Sequence, residues 1–191
     1  MKKKMFLAIA ICLIAAVQAA AQDSYFNQDD NVVSLGLGLG GTLYSGYGYS
    51  GNGFSRMPAF SLSYERCIID NLFNEQSALG VGGLIGYTSA KYNYNLVGGR
   101  GWKSTDVMIG ARAALHYAFI DQLDTYAGIM AGYNVNSWKW NGDGTTHTSG
   151  SSGLTYSLFA GGRYYFSDSF AAFAELGYGY TFLNAGLSVK F

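Results

Sequence analysis

Only two histidines, His116 and His147, occur in 191 residues, and they are the first candidates for acid–base or metal chemistry. Asp143 and several serines flank His147, so the residue types of a Ser–His–acid relay are present. The segment is rich in Gly, Ser and Thr, however, and such a backbone holds a triad poorly. His116 belongs to the opposite end of the strand pattern set out below, so the two rings share no metal. Asn141-Gly-Asp-Gly144 resembles the start of a calcium loop but lacks the spaced acidic ligands and the closing Glu, and reads as a turn. Gly36-x-Gly38-x-Gly40 has the glycines of a phosphate loop with no helix behind them, and reads as strand packing. No catalytic residue, metal ligand or cofactor is expected, and the chain is not expected to be an enzyme.

Two other groups carry more. Glu65, Arg112, Arg163 and Glu175 each interrupt a strand face made mostly of Gly and Ser. An isolated buried ion costs several kcal/mol or more, so four such charges turned into one confined space must pair or stay hydrated. An ion-pair network that plugs this space is expected; a narrow path for small solutes is the alternative. The second group is aromatic. Tyr44, Tyr47, Tyr49, Phe54, Tyr92, Tyr94, Trp102, Trp138 and Trp140 sit among Gly, Ser and Asn. Tyr and Trp with small neighbours make adaptable recognition surfaces, and packing of the loops is the competing reading. Tyr47, Tyr49, Tyr92, Tyr94, Trp102, Trp138 and Trp140 are the candidates for contact with an extracellular glycan or protein. Trp138-Lys139-Trp140 alternates as a strand does, so this loop is expected to stand up as a hairpin ribbon.

These residues are positioned by eight segments of two-residue alternation, separated by Gly/Ser/Asn/Asp stretches. They are 31–41, 59–68, 77–88, 105–117, 123–135, 154–166, 170–180 and 183–191. In 105–117, Val107, Ile109, Ala111, Ala113, Leu115 and Tyr117 oppose Asp106, Met108, Gly110, Arg112 and His116. Alternation alone does not say which face is inside. Charged residues are only 13% of the chain, about half the usual share for a soluble domain. A polar face of Gly and Ser with isolated charges is poor in the Lys and Glu that water-facing surfaces carry. Aromatics of the apolar face gather at strand ends: Phe60, Tyr87, Tyr133, Tyr156, Tyr178 and Tyr180 at one, Tyr117, Tyr164, Phe166, Phe170 and Phe191 at the other. Two such belts suit a barrel that crosses a membrane with its apolar face outward. Long connections at 42–58, 89–104 and 136–153 fall on one edge and shorter ones on the other, with Ser167-Asp168-Ser169 the tightest; the first edge is expected to be extracellular.

The amino terminus agrees. Lys2, Lys3 and Lys4 precede an apolar run, Phe6–Val17, and Ala19-Ala20-Ala21 offers a cleavage site, so 1–21 reads as a secretory signal peptide and 22–191 as one barrel domain. The run is too short for the ~20 residues of a spanning helix. Cleavage would leave Cys67 as the lone cysteine and nine basic residues of the original 12 against 12 acidic, with no basic patch suited to nucleic acid.

The final stretch, Asn184-Ala-Gly-Leu-Ser-Val-Lys-Phe191, alternates to a terminal aromatic. With Asn184, Gly186, Val189 and Phe191 in place it resembles the C-terminal assembly-signal strand of bacterial outer-membrane β-barrels. Across 22–191 the chain resembles small eight-stranded barrels of the OmpX/OmpA-barrel or Opa-like type. The resemblance implies an all-β, eight-stranded antiparallel up-and-down transmembrane barrel, integral to the outer membrane of a Gram-negative bacterium. It implies outer-membrane lipid, periplasmic chaperones and the outer-membrane insertion machinery as partners. It also implies a structural, envelope or adhesion role, with a porin-like channel or a lipid-modifying enzyme as lesser alternatives. No domain is expected beyond Phe191, so cell-wall anchoring is not implied.

Overall fold

The computed structural model describes residues 26–41, 54–93, 101–120, 122–142 and 145–191. The segment 1–21 expected to be a signal peptide, Asp143, and Tyr44, Tyr47, Tyr49 and Tyr94 lie outside them. Nine strands form among the described residues: β1 (Asn31–Leu39), β2 (Phe54–Arg56), β3 (Ala59–Asp70), β4 (Ser77–Asn93), β5 (Gly101–Ile120), β6 (Leu123–Gly142), β7 (Thr145–Tyr165), β8 (Phe170–Tyr178) and β9 (Leu183–Lys190). Every pairing is antiparallel. The order β3–β1–β9–β8–β7–β6–β5–β4 returns to its start because β4 pairs with both β3 and β5. This is the expected eight-stranded up-and-down barrel. β2 is an addition to it, laid against Ala90–Tyr92 at the far end of β4.

Alternation decides the wall. Leu35, Leu37, Ile109, Ile129, Leu158, Leu176 and Leu187 all point outward and are half or more exposed. A contiguous apolar exterior is untenable in water and is what lipid solvates. Phe60, Tyr87, Tyr133, Tyr156 and Tyr178 ring the far end of this wall, and Tyr164, Phe166, Phe170 and Phe191 ring the end that carries the carboxyl terminus. At that end β1 and β9 are stitched by Phe191 N–H to Asn31 O, 2.9 Å, and Asn31 N–H to Phe191 O, 3.0 Å.

Three expectations are corrected. β4, β5, β6 and β7 are longer than their alternating segments, so the connections expected at 89–104 and 136–153 shrink to 94–100 and 143–144. Their Gly, Ser and Asn look like coil, yet each residue has a partner in the neighbouring ladder. At the edge that carries the carboxyl terminus the tightest connection is 121–122, across which Ile120 and Leu123 pair directly, rather than Ser167–Ser169. Lastly, Tyr180 is not in the outer belt. β8 stops at Tyr178, and Gly179 takes φ 113°, a conformation open to glycine, which breaks the alternation. Tyr180 then turns inward, 3% exposed, and donates to Phe60 O at 2.9 Å.

The lumen is filled in layers. Phe26, Val32, Cys67 and Ala78 cluster at the end that carries the carboxyl terminus. Ala59, Leu84, Met108, Met130 and Tyr180, with Phe159 against them, pack the far half. Glycines opposite the large rings make the room. A Cβ on Gly86 would lie 2.5 Å from Tyr180 Cζ, and one on Gly128 2.5 Å from Phe159 Cζ. We predict that Gly86→Val destabilises the barrel by about 1–3 kcal/mol, and that Tyr180→Ala in the same chain removes much of that penalty. Gly153→Ala, where nothing lies within 4 Å, should be silent. Urea titration in liposomes, read by heat-modifiable gel mobility, measures all three.

Candidate functional site

Between the two apolar layers lies a belt of charge, built by the inward residues of five strands. β3 supplies Glu65, β5 supplies Arg112 and His116, β6 supplies Asp124 and Tyr126, β7 supplies Arg163, and β8 supplies Glu175. All are buried. Arg163 pairs with Glu65 through Nη2 and with Asp124 Oδ2 through Nη1 at 3.2 Å. His116 joins the same two carboxylates, Nδ1 to Asp124 Oδ1 at 2.8 Å and Nε2 to Glu65 Oε1 at 3.2 Å. Both ring nitrogens face carboxylate oxygens, which only accept, so the doubly protonated ring is the one that satisfies this geometry.

Arg112 and Glu175 make the second centre, Nη2 to Oε1 at 2.7 Å, and the Tyr126 hydroxyl donates to the same oxygen at 2.9 Å. Aromatic faces cover the cations: Arg112 lies 4.1 Å from the Phe159 centroid and Arg163 4.7 Å from that of Tyr126. With His116 charged, three cations meet three carboxylates. A closed set of this kind offsets the desolvation cost of its members, whereas any unpaired ion here would not persist. The cavity beside Arg112 and Glu175 measures ≈ 20 Å³, room for about one water.

The four charges singled out in the sequence therefore meet in one interior, with different pairings from their neighbourhood along the strands. Glu175 lies beside Gly161 in the β7–β8 register, one step from Arg163, but it reaches across the lumen to Arg112. His116 and Asp124 are full members that sequence reasoning left out. Their signal was parity: His116 shares the face of Arg112 on β5, and Asp124 shares the face of Tyr126 on β6. Phe26 had no such signal, because it precedes the first alternating segment. It sits 4.4 Å from the His116 ring and 5.9 Å from the Arg163 guanidinium carbon, capping the belt.

A second candidate surface rises above the far end. Tyr92, Trp102, Trp138 and Trp140 share the lumen-side face of the extended β4–β5–β6 ribbon. Tyr92 stacks on Trp102 at 6.4 Å, Trp102 on Trp138 at 5.8 Å and Trp138 on Trp140 at 6.4 Å, while Phe54 of β2 tilts against Trp102 at 6.2 Å. Trp102 is buried by these neighbours, and Trp138 and Trp140 remain partly exposed. His147 stands opposite Trp140 in the β6–β7 ladder. In the terminal strand, Asn184 points into the lumen and accepts from Ser61 at 3.3 Å, and Gly186 sits against the β1 backbone. Val189 and Phe191 face outward. Among the described residues no three His, Cys, Asp or Glu side chains gather as a metal site.

No family model matches the chain and no curated protein matches it. Ten chains of solved structures do match. The crystal structure of Ail, the attachment invasion locus protein of Yersinia pestis, in complex with the heparin analogue sucrose octasulfate is similar at TM-score 0.51. It has 13% identity over 86% of this chain and 99% of that one. A second crystal structure of Ail gives a TM-score of 0.45 with the same identity and coverage. The fold is shared with Ail. At this identity the likeness reaches no further than the fold.

Replacing Arg163 by Met strands Glu65 and Asp124 in the interior, and we predict a loss of about 3–5 kcal/mol. Arg66→Ala, which breaks the exposed Arg66–Asp29 pair, should change the same denaturant midpoint little.

Proposed function

We propose that this chain is an integral outer-membrane β-barrel of a Gram-negative bacterium, with a blocked lumen and a recognition surface on its raised far-end ribbon. The observation that carries the reading is the aromatic row Tyr92–Trp102–Trp138–Trp140, held at fixed spacing on one face of that ribbon. β5 has 20 residues, about 66 Å of strand at ~3.3 Å each, and about 50 Å along the barrel axis at a ~40° tilt. A hydrocarbon layer of about 30 Å takes up little more than half of that. The excess presents the row to the exterior on a rigid sheet, which suits the binding of a glycan or a protein.

Blockage of the lumen rests on the charge belt and on the apolar layers packed either side of it. Small packed barrels of this width hold side chains rather than a water column. The apolar exterior, the two aromatic rings and the Ail-like fold support the membrane assignment, and Ail's being an attachment invasion locus protein supports a role in attachment at the cell surface. β9 with its Val189, and Phe191 directly after it, support delivery by the insertion machinery with periplasmic chaperones. On this reading the chain performs no catalysis.

The refolded protein in planar bilayers should give no steady conductance, and size-selective conductance would replace this reading with that of a channel. Cells displaying the barrel should adhere to glycan or matrix surfaces several-fold better than cells displaying the Trp138→Ala/Trp140→Ala variant. Equal adhesion at equal surface display would remove the recognition role.

A further inference from the structure

The opposite face of the same ribbon carries an unusual rank of charge. Lys91 of β4 is directly opposite Lys103 of β5, and Lys103 is directly opposite Lys139 of β6. The rank continues to Ser55 on one side and Thr148 on the other. All three lysines are exposed and outward-facing. Adjacent strands are about 4.8 Å apart, and like charges directly opposite one another destabilise a sheet.

Among the described residues of the ladder, none compensates them. The rank nearer the wall is Ser89, Thr105, Ser137 and Gly150, and the next is Tyr87, Val107, Val135 and Ser152. The rank beyond is Asn93, Gly101, Asn141 and Thr146. None of these twelve residues is acidic. Three ammonium groups are thus held in line, on the wall side of the ribbon, with no carboxylate among the described ladder residues of the neighbouring ranks.

Their height specifies the counter-ion. Lys91 lies four residues beyond Tyr87 of the far aromatic ring, about 13 Å along the strand and about 10 Å along the barrel axis. Headgroup zones extend about 5–8 Å beyond each edge of the hydrocarbon. Flexible lysine stems at this level reach down to the headgroups, and they face the lipid rather than the concave recognition surface.

We propose that Lys91, Lys103 and Lys139 form a docking rank for the phosphate groups of outer-leaflet lipid, so that the anionic headgroup relieves the repulsion between neighbouring strands. This rests on the membrane reading above. A soluble polyanion is the competing occupant. The wall-side orientation disfavours it.

The experiment begins with the refolded protein in phosphatidylcholine bilayers, where protease protection and heat-modifiable mobility establish insertion; failure there refutes the membrane reading itself. Labelled lipid A with two phosphates, or the same lipid dephosphorylated, is then titrated in, and energy transfer from the ribbon tryptophans reports association. Wild type should prefer the phosphorylated lipid. At about fivefold per lysine, K91Q/K103Q/K139Q should lower that preference on the order of 100-fold, and K91R/K103R/K139R should keep it. High salt should erase the preference in wild type. The glutamine variant should insert into neutral bilayers as well as wild type, because it removes repulsion. Loss of insertion there would show that the ammonium groups serve the fold, and would overturn the proposal. So would a wild type indifferent to phosphate, a glutamine variant that retains the preference, or lysine-dependent binding of a soluble heparin fragment without lipid A binding.

Discussion

The constraint on which the molecule depends is that charge placed inside the barrel must be neutralised inside the barrel. Glu65, Asp124 and Glu175 are all buried, with Phe26 in the layer on one side of them and Tyr180, Met108 and Met130 in the layer on the other. They must find Arg163, His116 and Arg112 across the lumen, and those contacts span β3, β5, β6, β7 and β8. The network ties together strands that are not neighbours. Ladder hydrogen bonds bind each strand to the next, and the charge belt fixes the cross-section.

The exterior follows the opposite rule. Where the inside is paired and varied in size, the outside is Leu, Ile, Val and Ala between two aromatic rings, with no charge in its middle. The two surfaces alternate residue by residue along each strand, so the sidedness of the wall is written at period two. The ribbon above it keeps the same alternation with a different content: stacked aromatics on the concave side, lysines on the other. One backbone pattern thus carries two chemically distinct faces beyond the level at which lipid dictates composition.

Much of this was legible in the residues. The period-two segments 105–117 and 123–135 located their strands because each face is chemically uniform, and the isolated charges on a Gly/Ser face pointed inward for the same reason. What failed to show was whatever depends on shape across the barrel. Cross-lumen pairing of Arg112 with Glu175 depends on tilt and stagger, which alternation does not encode. Tyr180 continued the pattern of Tyr178 by position, and only the left-handed turn at Gly179 sends it the other way. The upper halves of β6 and β7 hid in Ser, Thr and Asn, residues of weak strand preference that here gain order from their ladder partners.

The seam between β1 and β9 has a consequence for how the barrel comes into being. β5 and β6 are joined through two residues and zip together over a long, local ladder. β1 and β9 meet over eight register pairs, and they unite residues from opposite ends of the chain, such as Val32 with Lys190. Closing so large a loop for so short a ladder is the entropically dearest step of the topology. The cylinder is therefore completed there last. Until it is, β1 and β9 are bare edges in search of a neighbour, and any escort of the nascent sheet has to occupy those two strands.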